Sequence, residues 1–369
     1  LKNAFGIRSW RTNQKEIINA TLSGRDVFVV MRTGGGKSLC YQLPAVLKGG
    51  ITVGVMRGDA VEGEFAKTRL VMVLVTPEKV AKSKMFMAAL DITARNGRLS
   101  RVVIDEAHCC SQARSTKNIE LHSGFCAWGH DFRPEYCKLG ILKRQYPYVP
   151  VLALTATCTD FIRNDVMSIL NLSPGDVVCF KSSFNRSNLR YEVVDKPEAA
   201  NAALEQLARF IQTNYNSGAA GIVYTFSRRE ACEVATGLVE RGVSAAYYHA
   251  GQEGGERTRI QRAWMKGDIP VIVATIAFGM GINHLEVRFV VHFSLSKSVE
   301  NYYQESGRAG RDGKPSRCVV FYRPSDVSRQ ATLSCQEQGS QPLAALHKMV
   351  TYCQSTTTCR RKMIADELG

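Results

Sequence analysis

The sequence predicts an α/β protein with two parallel-sheet domains, and three observations support this prediction. A strand of buried type, Val27–Val30, leads through three consecutive glycines into the start of a helix at Leu39. Apolar runs suited to buried strands recur after it, and beyond residue 220 strand-like and helix-like segments alternate again without a second glycine loop. The length of 369 residues is too great for one ordinary core.

The composition indicates the class of partner and the compartment. Lys and Arg number 48 against 33 Asp and Glu, a net charge of +15, which favours a partner such as nucleic acid over a merely basic surface. The 12 cysteines show no framework spacing and are expected to be reduced thiols of a nuclear or cytosolic protein. No apolar run approaches the roughly eighteen residues of a membrane span, so we expect a soluble intracellular protein. Because it begins at Leu1, the chain is expected to be a piece of a longer one.

The glycine-rich segment predicts a phosphate-binding loop. Its residues are Thr33, Gly34, Gly35, Gly36, Lys37 and Ser38. Glycines let backbone N–H groups approach phosphate oxygens, and the following helix N-terminus favours an anion. Lys37 would supply a cation for the β- and γ-phosphates of a nucleotide, and Ser38 a hydroxyl for Mg²⁺. Met31 stands where the general pattern has a further glycine, and a glycine-rich turn beside a surface lysine is the alternative.

Three side chains upstream of the loop suit an adenine ring. Trp10 offers a face for stacking, while Arg11 and Gln14 are polar groups, and the Gln14 amide could bind the edge of the base. An N-terminal helix packed on the sheet explains the same pattern equally well.

Two carboxylates follow another strand of buried type, which ends at Ile104. Ligands of open α/β sheets bind at the carboxyl ends of the strands. Asp105 is therefore predicted to hold Mg²⁺ through water, and Glu106 to orient or deprotonate the attacking water. His108 would sense the γ-phosphate or transmit its presence. A solvated acidic strand end is the alternative, but it does not account for the phosphate loop upstream.

Two further features of the first half suit contact with nucleic acid. Aromatic and basic side chains alternate at Trp128, His130, Phe132 and Arg133. Such a pattern suits base stacking and phosphate contact, although a loop packed on its own domain is equally compatible. The strand Val151–Leu154 is followed by Thr155 and Thr157, whose hydroxyls are predicted to hydrogen-bond across a cleft.

The second domain offers candidate cations for the phosphates. Arg308 and Arg311 are predicted to share one helical face, with Gln304 on nearly the same side. An arginine directed at the γ-phosphate bound by a neighbouring domain would act as an arginine finger. A basic surface helix that binds any acidic partner is the alternative.

The sequence also predicts the local structure of three further segments. Thr76–Lys79 is predicted to form a turn, Phe161–Leu172 a helix that closes the first domain, and Leu343–Leu368 a helical stretch. Within that last stretch Cys353 and Cys359 are six residues apart, so on spacing alone they are plain thiols.

Taken together, the motifs closely resemble those of a RecQ-family DNA helicase, near the Bloom-syndrome-type and plant members. They are Trp10–Gln14, Thr33–Ser38, Asp105–His108, Trp128–Arg133, Thr155–Thr157, Ser183–Arg186, Phe278–Asn283 and Gln304–Gly313. The resemblance implies a superfamily 2 helicase core of two RecA-like lobes, residues 1–180 and 181–327, with the start of a helical zinc-binding subdomain at 328–369. It also implies ATP and Mg²⁺ as cofactors, and 3′-to-5′ translocation on single-stranded DNA. Unwinding of duplex and branched DNA in repair, recombination and replication, and a nuclear location, would follow.

The resemblance also implies roles for single residues. Arg11 and Gln14 would recognise adenine, while Gln304, Arg308 and Arg311 would complete the ATP site from the second lobe. The aromatic-rich loop, Trp128 to Arg133, would couple DNA contact to hydrolysis. Cys359 resembles the first of four zinc ligands, so zinc is expected only in a longer form of the chain.

Four departures from the family pattern affect the functional prediction. Gly54–Leu70 is short and lacks the family's Ser-Pro-Leu motif, Ala113–Ala127 interrupts the aromatic-rich loop, and Arg32 replaces a usual proline. The zinc site is also incomplete. The first two departures concern DNA binding and coupling, so a pseudo-helicase that binds nucleotide and DNA without unwinding is an alternative. An RNA helicase is a third possibility, because Asp-Glu-Ala-His is also a signature of that group.

Overall fold

The computed structural model describes residues 9–56, 71–111, 134–215, 218–276, 278, 284–336 and 341–369. The chain divides into two compact units, Leu1–Phe184 with Leu368–Gly369, and Asn185–Glu367. Each unit is built around a parallel sheet flanked by helices. No helix in these described ranges is long and apolar enough to cross a membrane.

The first unit contains a six-stranded sheet in the order β3-β2-β4-β5-β1-β6. Its strands are β1 (Val27–Val30), β2 (Ile51–Val55), β3 (Met72–Val75), β4 (Leu99–Ile104), β5 (Val151–Thr155) and β6 (Val178–Lys181). Its helices are α1 (Gln14–Leu22), α2 (Lys37–Lys48), α3 (Pro77–Lys82), α4 (Lys84–Arg95), α5 (Gly140–Gln145) and α6 (Asp160–Ile169), with a 3₁₀ helix at Pro134–Lys138.

The parallel register brings three chain segments to one edge of this sheet. Strand β1 is buried throughout and lies between β5 and β6, where Val30 pairs with Thr155 and with Lys181. Strand β4 lies on the other side of β5, with Ile104 beside Ala153. The loops that follow β1, β4 and β5 therefore emerge as neighbours at the carboxyl edge of the sheet.

Two local predictions for the first unit are wrong in detail. Thr76–Lys79 is not an isolated turn, because the Thr76 hydroxyl caps α3 by accepting a hydrogen bond from the Lys79 N–H, and Pro77 occupies the first helical turn. The helix predicted to reach Leu172 ends at Ile169, since Asn171 takes a left-handed conformation with φ of +56°. The edge strand β6 was not predicted, because its apolar run, Val177–Phe180, is only four residues long, and so short a run does not distinguish a strand from other structure.

The second unit contains a six-stranded sheet in the order β7-β12-β11-β8-β10-β9. Its strands are β7 (Leu189–Asp195), β8 (Gly221–Tyr224), β9 (Ala245–Tyr248), β10 (Val271–Ala274), β11 (Phe289–His292) and β12 (Ser316–Tyr322). Its helices are α7 (Ala200–Asn214), α8 (Arg228–Glu240), α9 (Gly254–Lys266), α10 (Val299–Ser306), α11 (Pro324–Gln336), α12 (Gln341–Gln354) and α13 (Arg360–Leu368).

The C-terminal stretch predicted as helical consists of two helices rather than one. Helix α12 ends at Gln354 and α13 begins at Arg360. Between them lies Ser-Thr-Thr-Thr-Cys, in which the Thr358 N–H donates to Oγ of Ser355 at 3.3 Å. Short hydroxyl side chains bind the local backbone and so compete with helix formation.

Candidate nucleotide-binding site

The glycine loop between β1 and α2 has a conformation that requires glycine. Gly34 and Gly36 have φ values of +77° and +90°, a region that other residues rarely adopt. A Cβ atom on Gly36 would lie 2.2 Å from Nε2 of Gln14, and one on Gly35 would lie 2.5 Å from Cγ of Met31. The loop is therefore closely packed on its inner side, and its backbone is shaped as a phosphate-binding loop.

Gln14 and Arg11 are joined to this loop by hydrogen bonds. The buried Gln14 amide donates through Nε2 to the Gly36 carbonyl at 3.1 Å, and its Oε1 accepts from the Arg11 N–H at 2.8 Å. The exposed Arg11 guanidinium donates to the Gly34 carbonyl. The structure thus brings both predicted adenine-binding residues to the phosphate loop, where Gln14 also supports the loop backbone.

The two carboxylates after β4 lie beside the loop lysine. Nζ of Lys37 is 3.8 Å from Oε1 of Glu106, and both side chains are largely buried. Glu106 has a left-handed backbone with φ of +51°, and its N–H donates to Oδ1 of Asp105 at 3.0 Å. Non-glycine residues held in this region cluster at functional sites. Three predicted site residues from two separate elements therefore meet at the carboxyl edge of the first sheet.

His108 connects this acidic pair to the end of β5. Its Nδ1 is 2.8 Å from Oγ1 of Thr155 and 3.5 Å from Oε2 of Glu106. The Thr155 hydroxyl also donates to the Thr157 carbonyl at 2.9 Å. Thr155 is fully buried, so the prediction that its hydroxyl bonds across a cleft is wrong. The hydroxyl is used within the first unit because β4 and β5 are adjacent strands.

The residues predicted to hold Mg²⁺ fit that ion. Burial raises the pKa of Asp105 to about 6, and the nearby Glu106 adds to this rise while Lys37 opposes it. The Tyr136 hydroxyl donates to the Asp105 backbone carbonyl at 3.1 Å and braces the strand end. In the described residues no group of three or more His, Cys, Asp or Glu could hold a metal alone. Magnesium at nucleotide sites needs only one or two protein oxygens beside the phosphates, and Ser38 and Asp105 are the residues predicted to supply them.

The predicted residues of the second unit do not share a helical face. Gln304 lies near the end of α10, which terminates at Ser306, so Arg308 and Arg311 lie in the turns beyond it. Gly310 has φ of +55°, which a continuing helix does not permit. The spacing of Gln304, Arg308 and Arg311 is compatible with a continuous helix, so the sequence did not predict that the helix ends at Ser306.

Arg186 is a site-associated residue whose contacts the sequence did not indicate. Its buried guanidinium donates to the carbonyls of Gly307, Ala309 and Gly310, which flank Arg308. The Ser183–Arg186 motif marks the junction between the units in sequence. The sequence around a single arginine does not predict that it will bind backbone carbonyls more than a hundred residues away.

Several predicted residues lie elsewhere or outside the described ranges. Trp128, His130, Phe132 and Arg133 fall outside them, as do most of Gly54–Leu70 and Ala113–Ala127. Cys359 is exposed and directly precedes α13. Hydrogen bonds from the backbone N–H groups of Lys362 and Arg361 lower the pKa of the Cys359 thiol.

Three family profiles match separate parts of the chain. The profile of DEAD/DEAH box helicases matches residues 11–56, that of the helicase conserved C-terminal domain residues 201–313, and that of the RecQ zinc-binding region residues 324–369. The first match covers the phosphate loop and stops before the acidic pair.

Curated relatives match nearly the whole chain. ATP-dependent DNA helicase Q-like 2 of Arabidopsis thaliana is 46% identical over 399 aligned positions, which cover 100% of this chain and 54% of the relative. ATP-dependent DNA helicase Q1 of Rattus norvegicus is 41% identical over 397 positions, covering 99% of this chain and 61% of the relative. The chain therefore spans little more than half the length of these two relatives.

A solved structure confirms the predicted fold of two RecA-like parallel-sheet lobes. Dbp5 of S. cerevisiae, solved bound to RNA and ADP BeF3, superposes with a TM-score of 0.65, covering 100% of this chain and 96% of that chain. The sequence identity is 16%, so this likeness concerns the fold alone.

Proposed function

The chain belongs to the RecQ family of helicases, and on this premise we propose that it is an ATP-dependent DNA helicase. In this proposal hydrolysis of ATP drives 3′-to-5′ translocation on single-stranded DNA and unwinding of duplex and branched DNA. The net charge of +15 supports a polyanionic partner. Work in DNA repair, recombination and replication, within the nucleus, belongs to the same proposal.

The observation that carries the proposal is the meeting of Lys37, Glu106 and His108 at the edge of the first sheet. A nucleotide whose phosphates lie in the glycine loop would place its γ-phosphate near Lys37 Nζ, which lies 3.8 Å from Glu106 Oε1. Glu106 would then orient or deprotonate the attacking water. Ser38 and Asp105 would hold Mg²⁺, which neutralises charge that develops on the phosphates.

The remaining predicted residues have supporting roles in this proposal. Arg11 and Gln14 bind the adenine, and Thr33 with Gly34, Gly35 and Gly36 encloses the phosphates. Gln304, Arg308 and Arg311 act on the phosphates during hydrolysis. Trp128, His130, Phe132 and Arg133, with Thr155 and Thr157, couple DNA contact to hydrolysis. Cys359 would bind zinc in a longer form of the chain, since this chain's described residues supply no complete ligand set.

The test is steady-state ATP hydrolysis with and without single-stranded DNA, beside a Lys37→Ala variant. The proposal predicts strong stimulation by DNA that the variant abolishes, with strand displacement from a 3′-tailed duplex. Comparison of DNA with RNA at equal nucleotide concentration separates a DNA helicase from an RNA helicase. Hydrolysis that Lys37→Ala leaves unchanged would contradict the assigned site.

A second candidate is a nucleotide- and DNA-binding protein without unwinding activity. Its support is the region after β2, where the helicase profile stops at residue 56. The alignment with the Arabidopsis relative runs over 399 positions although the chain has 369 residues, so at least 30 positions of the relative face a gap. Basal hydrolysis that DNA does not stimulate, together with retained DNA binding, would favour this candidate.

A further inference from the structure

A buried arginine at the start of the second unit holds the turn that carries Arg308. Arg186 is 5% exposed, and its Nη1 donates to the Gly307 carbonyl at 2.7 Å. Its Nη2 donates to the carbonyls of Ala309 and Gly310 at 2.8 and 2.5 Å. We propose that Arg186 is a positioning residue for ATP hydrolysis, which fixes the turn from which Arg308 acts. This inference rests on the proposed function.

The chemistry of the guanidinium suits this task. The last carbonyls of a helix have no intrahelical partner, and those just beyond α10 accept hydrogen bonds from a single planar group, the Arg186 guanidinium, whose donors form a fixed fork. Charge-assisted hydrogen bonds of this kind are stronger than neutral ones. The three carbonyls belong to residues on both sides of Arg308. Their hydrogen bonds to Arg186 therefore fix the backbone conformation at Arg308 and, with it, the direction of the Arg308 side chain. A lysine offers one point charge and cannot reproduce the fork.

Asn188 also holds the turn that Arg186 binds. Its Nδ2 donates to the Gly310 carbonyl at 2.8 Å and to the Lys314 carbonyl at 2.9 Å. A Cβ atom on Gly310 would lie 2.5 Å from this Nδ2, so the close approach depends on glycine. Arg186 and Asn188 thus hold the two ends of the turn from one short segment of chain.

The segment that bears Arg186 and Asn188 is itself held by a residue of α13. Nη2 of Arg361, in α13, donates to the carbonyls of Ser187 and Leu189 at 3.0 and 2.8 Å. The β7 strand that begins at Leu189 lies along β12 at the sheet edge. Because both its side chains and its carbonyls are engaged, the segment provides a rigid base for the turn.

Arg308 also has a defined neighbour in the core of the unit. Burial raises the pKa of Tyr224 to about 12, and a hydrogen bond with Arg308 opposes that rise. The Tyr224 hydroxyl donates to the Phe278 carbonyl at 2.9 Å. Displacement of the turn would move Arg308 relative to this fixed tyrosine.

The first experiment compares Arg186→Met, Arg186→Lys and Asn188→Ala with the unchanged chain. We expect Arg186→Met to lower the DNA-stimulated kcat by roughly 10²-fold, as a displacement of about 1 Å can do. The affinity for a fluorescent ADP analogue and the KM for ATP should change less than about threefold, because nucleotide binding depends on the first unit. Arg186→Lys and Asn188→Ala should show smaller losses of the same kind. The matched control is Arg190→Met, since Arg190 is 76% exposed at its side chain and four residues away.

A double-mutant cycle separates positioning from general support. If Arg186 acts through Arg308, adding Arg186→Met to an Arg308→Ala variant should lower single-turnover hydrolysis less than about threefold. The same roughly 10²-fold loss in both backgrounds would overturn the proposal. The proposal would also be overturned if the loss of hydrolysis rate in Arg186→Met were no larger than the loss of folded protein, measured by thermal unfolding.

Amide hydrogen exchange gives a readout that needs no hydrolysis. In Arg186→Met the peptide spanning residues 307–313 should exchange at least about tenfold faster than in the unchanged chain, with the phosphate loop unaffected. Unchanged exchange of that peptide would refute the positioning role itself. Failure of DNA to stimulate hydrolysis by the unchanged chain would instead refute the proposed function while the exchange result stands.

Discussion

Nδ1 of His108 lies 2.8 Å from Oγ1 of Thr155, and this contact joins the acidic strand end to the neighbouring strand of the first sheet. The same imidazole nitrogen is 3.5 Å from Glu106, the predicted base. A shift of the Glu106 carboxylate would therefore change the position of the His108 imidazole, and the reverse also holds. Thr155 in turn bonds to the Thr157 backbone, where the chain leaves the sheet. In the proposed helicase, this pair would couple nucleotide hydrolysis to DNA binding.

The first prediction concerns Thr155→Val, which keeps the side-chain shape and removes the hydroxyl. We expect basal hydrolysis to change less than about threefold, while the stimulation of hydrolysis by single-stranded DNA falls roughly tenfold, the effect of about 1.4 kcal/mol on a barrier. The physical reason is that His108 loses its partner on β5 but Glu106 and Lys37 stay in place. The measurement is kcat at saturating ATP with and without DNA.

Thr93→Val is the control for that variant. The Thr93 hydroxyl donates to the Ala89 carbonyl in an exposed hydrogen bond within α4, away from the site residues, so both rates should match those of the unchanged chain. Equal loss of basal and stimulated rates in Thr155→Val would show that the hydroxyl serves the chemical step and not coupling.

The second prediction concerns Gln14→Ala. The buried amide bonds to both the Gly36 carbonyl and the Arg11 N–H, so Gln14→Ala removes two hydrogen bonds, each worth roughly 0.5–1.5 kcal/mol, while the Gly36 carbonyl still accepts from the Leu39 N–H at 3.2 Å. We expect the KM for ATP to rise roughly tenfold with kcat changed less than about threefold. Gln42→Ala, at an exposed position of α2, should leave KM unchanged.

Comparison of ATP with GTP distinguishes two roles for Gln14. If its amide reads the adenine edge, the ratio of kcat/KM for ATP over GTP should fall in Gln14→Ala, because a site built to bond one base loses its discrimination. A rise in KM that is equal for both nucleotides would contradict adenine recognition and leave Gln14 as a support of the phosphate loop.

The parts of the site that sequence alone predicted are those set by short-range patterns. Lys37 and Ser38 follow the glycines directly, and Asp105 and Glu106 follow a buried strand, so residue type and order suffice to place them. The two parallel sheets were predicted for the same reason, although the edge strand β6 was missed because its apolar run, Val177–Phe180, is only four residues long.

The remaining contacts depend on packing between distant segments. Arg186 meets carbonyls 121 to 124 residues away, and no local pattern encodes such a partner. The end of α10 at Ser306 was missed because the spacing of Gln304, Arg308 and Arg311 satisfies a helix, whereas the carbonyls beyond Ser306 are held by Arg186 in a turn. Tertiary contacts here override the periodicity.

The last prediction concerns the attachment of α11 to the second unit. Nζ of Lys196 donates to Oδ2 of Asp326 at 3.0 Å and to the Phe293 carbonyl at 2.6 Å, and both charged side chains are nearly fully buried. Burial lowers the pKa of Lys196, an effect that the nearby Asp326 opposes. Lys196→Met should lower the free energy of unfolding by about 3 kcal/mol, because it leaves the Asp326 charge buried with only partial compensation from Arg323. Urea unfolding followed by circular dichroism measures the change.

A double variant tests the same buried pair, and an exposed ion pair provides the matched control. Lys196→Met/Asp326→Leu should recover much of the lost stability, since replacing both charges of a buried pair with apolar groups is often neutral. Lys348→Met removes an even shorter ion pair, with Glu367 at 2.7 Å, but the Lys348 side chain is 57% exposed, so the change should be below about 1 kcal/mol. If Lys196→Met and Lys348→Met cost the same, the buried pair does not anchor α11. If the buried pair alone is costly, the helices matched by the zinc-binding profile are part of the fold of the second unit, because their first helix shares its core.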